Sequence, residues 1–233
     1  SLLGKYWEQI DIDISKAEVR KIDLSVAKKI IEKYEWLKCL SAINKYQFGI
    51  FFDNVCAGVV VYGTDYAENL GHWDKYGFTG KILLLNRGAC VHWAHPHSAS
   101  KLISQSMKML PKKYEVITAT VDDLAGEIGT IYQACNFHYI GSMRDANPKI
   151  NSKKGDRCGW LINDKLYGSR AMRSKFGTTK IEIIKQTYPN VKKVKQNSKG
   201  RYFYFRGTKT QNKKHLKSIS HLIKTYPKRN YTK

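Results

Sequence analysis

The stretch QFGIFFDNVCAGVVVYG, residues 47–63, leaves this chain few choices. Its two halves are dense in aromatic and β-branched residues, which favour a pleated, buried surface. Between them stands Asp53-Asn54, a pair that tolerates the positive φ angles of a two-residue hairpin turn. An antiparallel strand pair is therefore expected. On its N-terminal side, AEVRKIDLS (17–25) alternates as a strand does and hands over at Ser25, a helix N-cap by type. VAKKIIEKYEWL then repeats Val26, Ile30, Ile31 and Tyr34 at helical spacing.

Beyond a polar loop the alternation of types continues. KILLLNR (81–87) reads as a buried strand, and SKLISQSMKML (100–110) as a helix capped by Ser98 or Ser100 and stopped by Pro111. YEVITATVDD (114–123) is β-rich. A short helix from Thr130 ends on Asn136, a residue suited to the left-handed C-terminal position, and FHYIGS (137–142) follows as a strand. The order β-α-β-β-β-α-β-α-β predicts a mixed α+β (α/β) sheet flanked by helices over one substantial core.

Charge divides the chain. Twenty lysines and arginines follow Asp164 with Glu182 as their only acidic company, so nearly all of the formal net charge of +22 lies in the last 69 residues. This predicts a near-neutral domain over residues 1–164 and a basic extension over 165–233 that meets a polyanion, with double-stranded DNA as the leading partner. YGSRAMRSKFG and TTKIEIIKQTYP read as two short helices, and NVKKVKQNSKGRYFYFRG as a hairpin about NSKG. They suggest either a winged reader or, more readily, additions to the main sheet. The phosphate-contact candidates are Arg170, Arg173, Lys175, Lys192, Lys193, Arg201, Arg206, Lys213 and Lys214. Five scattered cysteines without a CxxC pair suggest reduced thiols rather than disulfides or a cysteine zinc site. No run nears the roughly 18 apolar residues of a membrane span, so a cytoplasmic chain is expected.

Two side chains stand out chemically. Asp122 falls at the end of a central strand and Tyr132 in the first turn of the next helix, so a splayed sheet would bring both to one crevice. A carboxylate can take a proton from an amine, and a phenol can return one to a leaving group. His92, His95 and His97 lie within six residues, but no strand or helix period gives them a common face, and no zinc site is predicted.

The strand and helix order, with IYQACNF running from a Tyr-bearing helix into a strand, resembles the GNAT acyltransferase fold, Asn136 standing for the usual glycine. Members of that superfamily supply glycines between the central strand and the following helix, where a donor's pyrophosphate binds. Here the turn reads GACVHWAHPHSASK, with Gly88 alone, leaving Ser98, Ser100 and Lys101 at the helix N-terminus as anion contacts. More specifically, VDDLAGEIGTIYQACNFHYIG, LLLNRG, HSASKLIS, GRYFYFRG and YPKR resemble the phage Mom-like DNA-modification proteins, a divergent GNAT branch.

That resemblance implies a transferase that places a carbamoylmethyl group on the exocyclic amine of adenine in double-stranded DNA, protecting phage DNA from restriction. The host cytoplasm would then be its location. It implies functional roles for Asp122 and for Tyr132, ten residues later, and it maps the arginine ending the NR strand to Arg87, a cofactor-binding candidate beside Ser98, Ser100 and Lys101. A family His-Tyr pair near the end of the first helix, associated with iron, stands here as Glu35-Trp36, so both join the catalytic candidates. Iron enters through the resemblance alone. The donor is unknown, acetyl-coenzyme A or another acyl donor. Two other functions compete: an ordinary N-acetyltransferase, and a catalytically silent nucleic-acid-binding protein on the same scaffold.

Overall fold

The computed structural model describes residues 10–122, 126–142, 158–195 and 199–228, less the side chains of residues 170, 171 and 174. The hairpin forms as the sequence predicts. Strands β2 (Tyr46–Phe52) and β3 (Val55–Gly63) pair antiparallel, and Asp53 and Asn54 turn the chain with φ of 45° and 65°. Every residue of β3 from Ala57 onward is buried because both faces are covered. Val59 and Val61 face helix α1 (Leu24–Tyr34), which offers Ala27, Ile30 and Ile31. Val60 and Tyr62 face helix α3 (Ser98–Met109), which offers Leu102, Ile103 and Met107. Helix α1 begins just before the expected Ser25 cap, with Asp23 at the N-cap position. Helix α3 has His97 there and no side-chain cap, so neither serine candidate caps it.

The main sheet has seven strands in the order β1-β2-β3-β4-β5-β10-β6, with β1 (Glu18–Lys21), β4 (Ile82–Cys90), β5 (Val116–Val121), β6 (His138–Ser142) and β10 (Gly200–Phe205). The pairing of β4 with β5 is parallel and its other pairings are antiparallel. That parallel ladder runs only from Ile82↔Val116 to Leu85↔Ala119. At Asn86 a bulge on β4 shifts its register against β3, with Tyr62 opposite Leu85 and Val61 opposite Arg87. Beyond it β4 stays with β3 and β5 stays with β10, so the two strands part. This is the mixed, splayed sheet that the sequence predicts.

The basic region adds a strand to the main sheet, the form the sequence favours, but the expected hairpin is not seen among the described residues. RYFYF does not pair with NVKKVKQ. Strand β9 (Lys192–Lys195) instead joins β7 (Cys158–Ile162), which also takes β8 (Lys165–Gly168), in a separate three-stranded sheet. Helices α5 (Ser169–Phe176) and α6 (Ile181–Thr187) pack on it through Met172 and Ile184, against Trp160, Ile162 and Val191. Strand β10 enters the main sheet between β5 and β6, where a nearly unbroken aromatic run is what burial on two faces demands. The residues after 164 thus contribute both to a small sheet with its own core and to one inner strand of the large one.

That placement corrects two phosphate-contact assignments. Arg201 is buried, and its guanidinium pairs with the buried carboxylate of Asp65. The same carboxylate accepts from Thr118 Oγ1 at 2.9 Å, Trp73 Nε1 at 3.2 Å and, at 3.0 Å, the N–H of Ala67 in the short helix α2 (Tyr66–Asn69). Arg206 donates to the carbonyls of Leu110, Pro111 and Tyr114. Neither is free to meet DNA, because a sheet interior satisfies its own charges.

Helix α7 (Lys209–Ile219) opens with a capping box between Thr208 and Gln211. The chain then lies along β6: the Lys224 N–H donates to Tyr139 O at 2.8 Å, and Tyr226 Oη to Phe137 O at 2.7 Å. Among the described residues, no helix is long and apolar enough to cross a membrane.

Candidate active site

A cavity of about 290 Å³ opens where β4 and β5 part. The end of α1 supplies Tyr34, Glu35 and Trp36; the bulge supplies Asn86 and Arg87; the far wall carries Thr120, Glu127, Tyr132 and Lys199.

Tyr132 is set by the sequence around it. Gly129, with φ of 73°, turns the chain into helix α4 (Thr130–Ala134), and Asn136, with φ of 60°, turns it out toward β6. The Tyr132 ring lies 5.5 Å, centroid to centroid, from both Phe137 and Tyr202. Loss of water around the phenol pushes its pKa above the ordinary tyrosine range. The charge of Glu127 pushes the same way and Arg87 opposes it, so the group stays protonated. A Cβ on Gly129 would approach the Tyr202 ring to 2.6 Å in a backbone conformation that costs a non-glycine residue about 1–2 kcal/mol. Gly129→Ala is therefore expected to lower stability by at least that amount in urea titration and to displace α4.

Asp122 ends β5, buried, with its Oδ2 at 3.4 Å from Lys199 Nζ. Its backbone N–H donates to Glu127 Oε2 at 2.8 Å, while Glu127 Oε1 accepts from Trp36 Nε1 at 2.7 Å. The Glu35 carboxylate accepts the N–H groups of Leu37 and Lys38 and stands 4.0 Å from Arg87 Nε. Burial pushes the Glu35 pKa up, while Arg87 and those two N–H groups hold it down. Arg87 also donates to the carbonyls of Cys39 and Asn86.

Tyr132, Glu35, Trp36 and Arg87 thus share one cavity, and Asp122 flanks it through Lys199. Glu127, Lys199 and Tyr34 went unrecognised in the sequence. Glu127 stands in a loop, where no periodicity marks a side chain, although an acid between Gly126 and Gly129 just ahead of Tyr132 was a usable signal. The Tyr34 hydroxyl is buried and makes no hydrogen bond among the described residues, which leaves it able to receive one from a substrate.

A second, apolar cavity of about 200 Å³ shares Leu85, Gly88, Ala89 and Tyr132 with the first and runs between β4 and α3 past Leu102 and Ile103. Its walls suit the apolar arm of an acyl donor. At the helix N-terminus beside it, the side chains of the three anion-contact candidates face the protein, which leaves the backbone N–H groups as the anion contacts there. Ser98 is fully buried, Ser100 Oγ donates to His97 O at 3.0 Å, and Lys101 Nζ donates to the carbonyls of Ile14 and Ser15. Trp93 packs in the core against Phe52. Iron does not fit Glu35-Trp36 either, since an indole is no metal ligand and the carboxylate already serves two N–H groups and Arg87. Among the described residues, no three His, Cys, Asp or Glu side chains are grouped to hold a metal ion. Of the remaining phosphate-contact candidates, Arg173, Lys175, Lys192, Lys193, Lys213 and Lys214 are exposed, and the Arg170 side chain lies outside the described residues.

The family model of the Mom protein family matches residues 16–228. This chain belongs to the Mom protein family. A search of curated proteins returns no match. Similar solved structures include FeeM, an N-acyl amino acid synthase from uncultured soil microbes, at 17% identity and TM-score 0.41, over 55% of this chain and 81% of that one. A GNAT family acetyltransferase from Elizabethkingia anophelis with acetyl-CoA bound is similar at 7% identity and TM-score 0.44, over 82% and 98%. A spermidine N-acetyltransferase SpeG chimera from Vibrio cholerae and hSSAT is similar at 9% identity and TM-score 0.41, over 87% and 99%.

Proposed function

We propose that this Mom family chain is a transferase that places a carbamoylmethyl group on the exocyclic amine of adenine in double-stranded DNA and so protects phage DNA from restriction. The observation that carries the proposal is the cavity between the parted strands, where a protonated phenol, a guanidinium and carboxylates converge. In duplex DNA the target amine is paired and stacked, so the base leaves the helix before reaction, at a cost of a few kcal/mol. The amine nitrogen then attacks an electrophilic carbon of the donor, and the bond from that carbon to its leaving group breaks. Asp122 takes the proton the amine gives up, and Tyr132 supplies one to the leaving group. Arg87 and Lys199 counter the negative charge that develops between them. Of the α3 N-terminal side chains, Ser100 and Lys101 bond within the protein and Ser98 is buried, so a coenzyme A donor would rest on the backbone N–H groups there.

Nucleoside mass spectrometry on DNA from cells expressing the full chain tests the proposal, and a modified adenine is expected. Acetyl-coenzyme A turnover on amines without altered DNA would favour an ordinary N-acetyltransferase. Tight DNA binding without an altered nucleoside would favour a silent binding protein, the competing function to which the committed α3 N-terminus lends weight.

The exposed basic side chains give the duplex its footing. Each phosphate contact adds about one to the slope of log affinity against log salt. Replacing both Lys192 and Lys193 by alanine is expected to lower that slope by about two in anisotropy titrations between 50 and 200 mM salt.

A further inference from the structure

Trp36 is the most exposed aromatic at the active-site cavity, at 51%, yet it is not loose. Its Nε1 is tied at 2.7 Å to Glu127, a residue 91 positions away, and the other oxygen of that carboxylate holds the backbone N–H at Asp122. An exposed indole left to itself samples several rotamers, and the bond confines it to one. The choice of acid matters. A carboxylate offers two acceptor oxygens and no donor, so it can take both N–H groups together, whereas an amide can take one and confronts the other with its own N–H.

We propose that Glu127 is a positioning residue that fixes Trp36 as the stacking face for the extruded base and ties that face to the strand end bearing Asp122. This rests on the proposed extrusion of adenine. The aromatic platform and the carboxylate that takes the amine proton then keep one relative position through a single side chain. Base–aromatic stacking tolerates any base, so Trp36 contributes to holding the base rather than to choosing it.

The full chain is tested on duplexes carrying one mismatched adenine or none, since a mismatched base leaves the stack more cheaply. The wild-type chain is expected to prefer the mismatch, and Trp36→Ala to lose roughly tenfold to a hundredfold of that preference. Trp36→Phe, which keeps a ring without the N–H, and Glu127→Gln should each lose part. The two together should lose no more than either alone, the mark of one shared interaction. In turnover on the mismatched duplex, KM should rise while kcat changes less, with affinity for matched duplex and its salt slope unchanged. A wild-type preference in Glu127→Gln, additive losses in the double variant, or an equal fall in matched-duplex binding would each overturn the inference. A wild-type chain with neither mismatch preference nor modified adenine would overturn the proposed function beneath it.

Discussion

Cells expressing Tyr132→Phe are expected to carry at least a hundredfold less modified adenine than cells expressing the wild-type chain. The substitution keeps the ring that packs between Phe137 and Tyr202 and removes only the hydroxyl. Proton transfer by a placed side chain contributes roughly 10² to 10⁴ in rate, and the phenol, raised above its ordinary range and so protonated, is the group able to supply a proton to the leaving group. Asp122→Ala should fall by a similar factor, with Lys199 losing its carboxylate partner as well. Nucleoside mass spectrometry reads both, and a thermal melt matching that of the wild type shows that Tyr132→Phe acts on chemistry. Wild-type levels of the modified base in both variants would remove the pair from the site.

Asp65→Ala is expected to act on the fold instead. It strips the buried Arg201 guanidinium of its counter-charge and deprives Thr118, Trp73 and the Ala67 N–H of their acceptor. Breaking a buried pair from one side costs about 3–5 kcal/mol. At about 2–4 °C per kcal/mol for a domain of this size, the melting temperature should drop by roughly 10 °C. Adding Arg201→Leu should recover much of the loss, because the stranded charge goes with it. If the single variant melts as the wild type does, the pair is not what holds β10 to the loop before Trp73.

Local chemistry made much of this fold legible. Asp53-Asn54 announced the hairpin, Ile30 and Ile31 the buried face of α1, and Asn136 the left-handed exit from α4, because each is decided by residues a few positions apart. The partners of β9 and β10 were not legible that way. Strand pairing depends on what else is available across the sheet, and an aromatic run ending a basic tract gives no sign of lying between β5 and β6. Arg201 and Arg206 read as phosphate contacts in the sequence for the same reason: side-chain type does not tell which face of the molecule a residue occupies. Asp122 and Tyr132 were found because they sit at element ends, where a splayed sheet gathers chemistry. Glu127 was missed because a loop side chain acquires its partners only from the tertiary structure, here Trp36 and the backbone at Asp122.

Strand β10 also imposes an order on synthesis. When residue 142 has left the ribosome, both strands that will flank Gly200–Phe205 exist, yet nothing can join them. Tyr202, whose ring backs Tyr132 and whose hydroxyl donates to Ile128 O at 2.6 Å, arrives only with that last strand. Such distant pairings are slow to form. A nascent polypeptide halted before residue 200 would therefore hold the tyrosine without its backing, and would be inert until Gly200–Phe205 has been made.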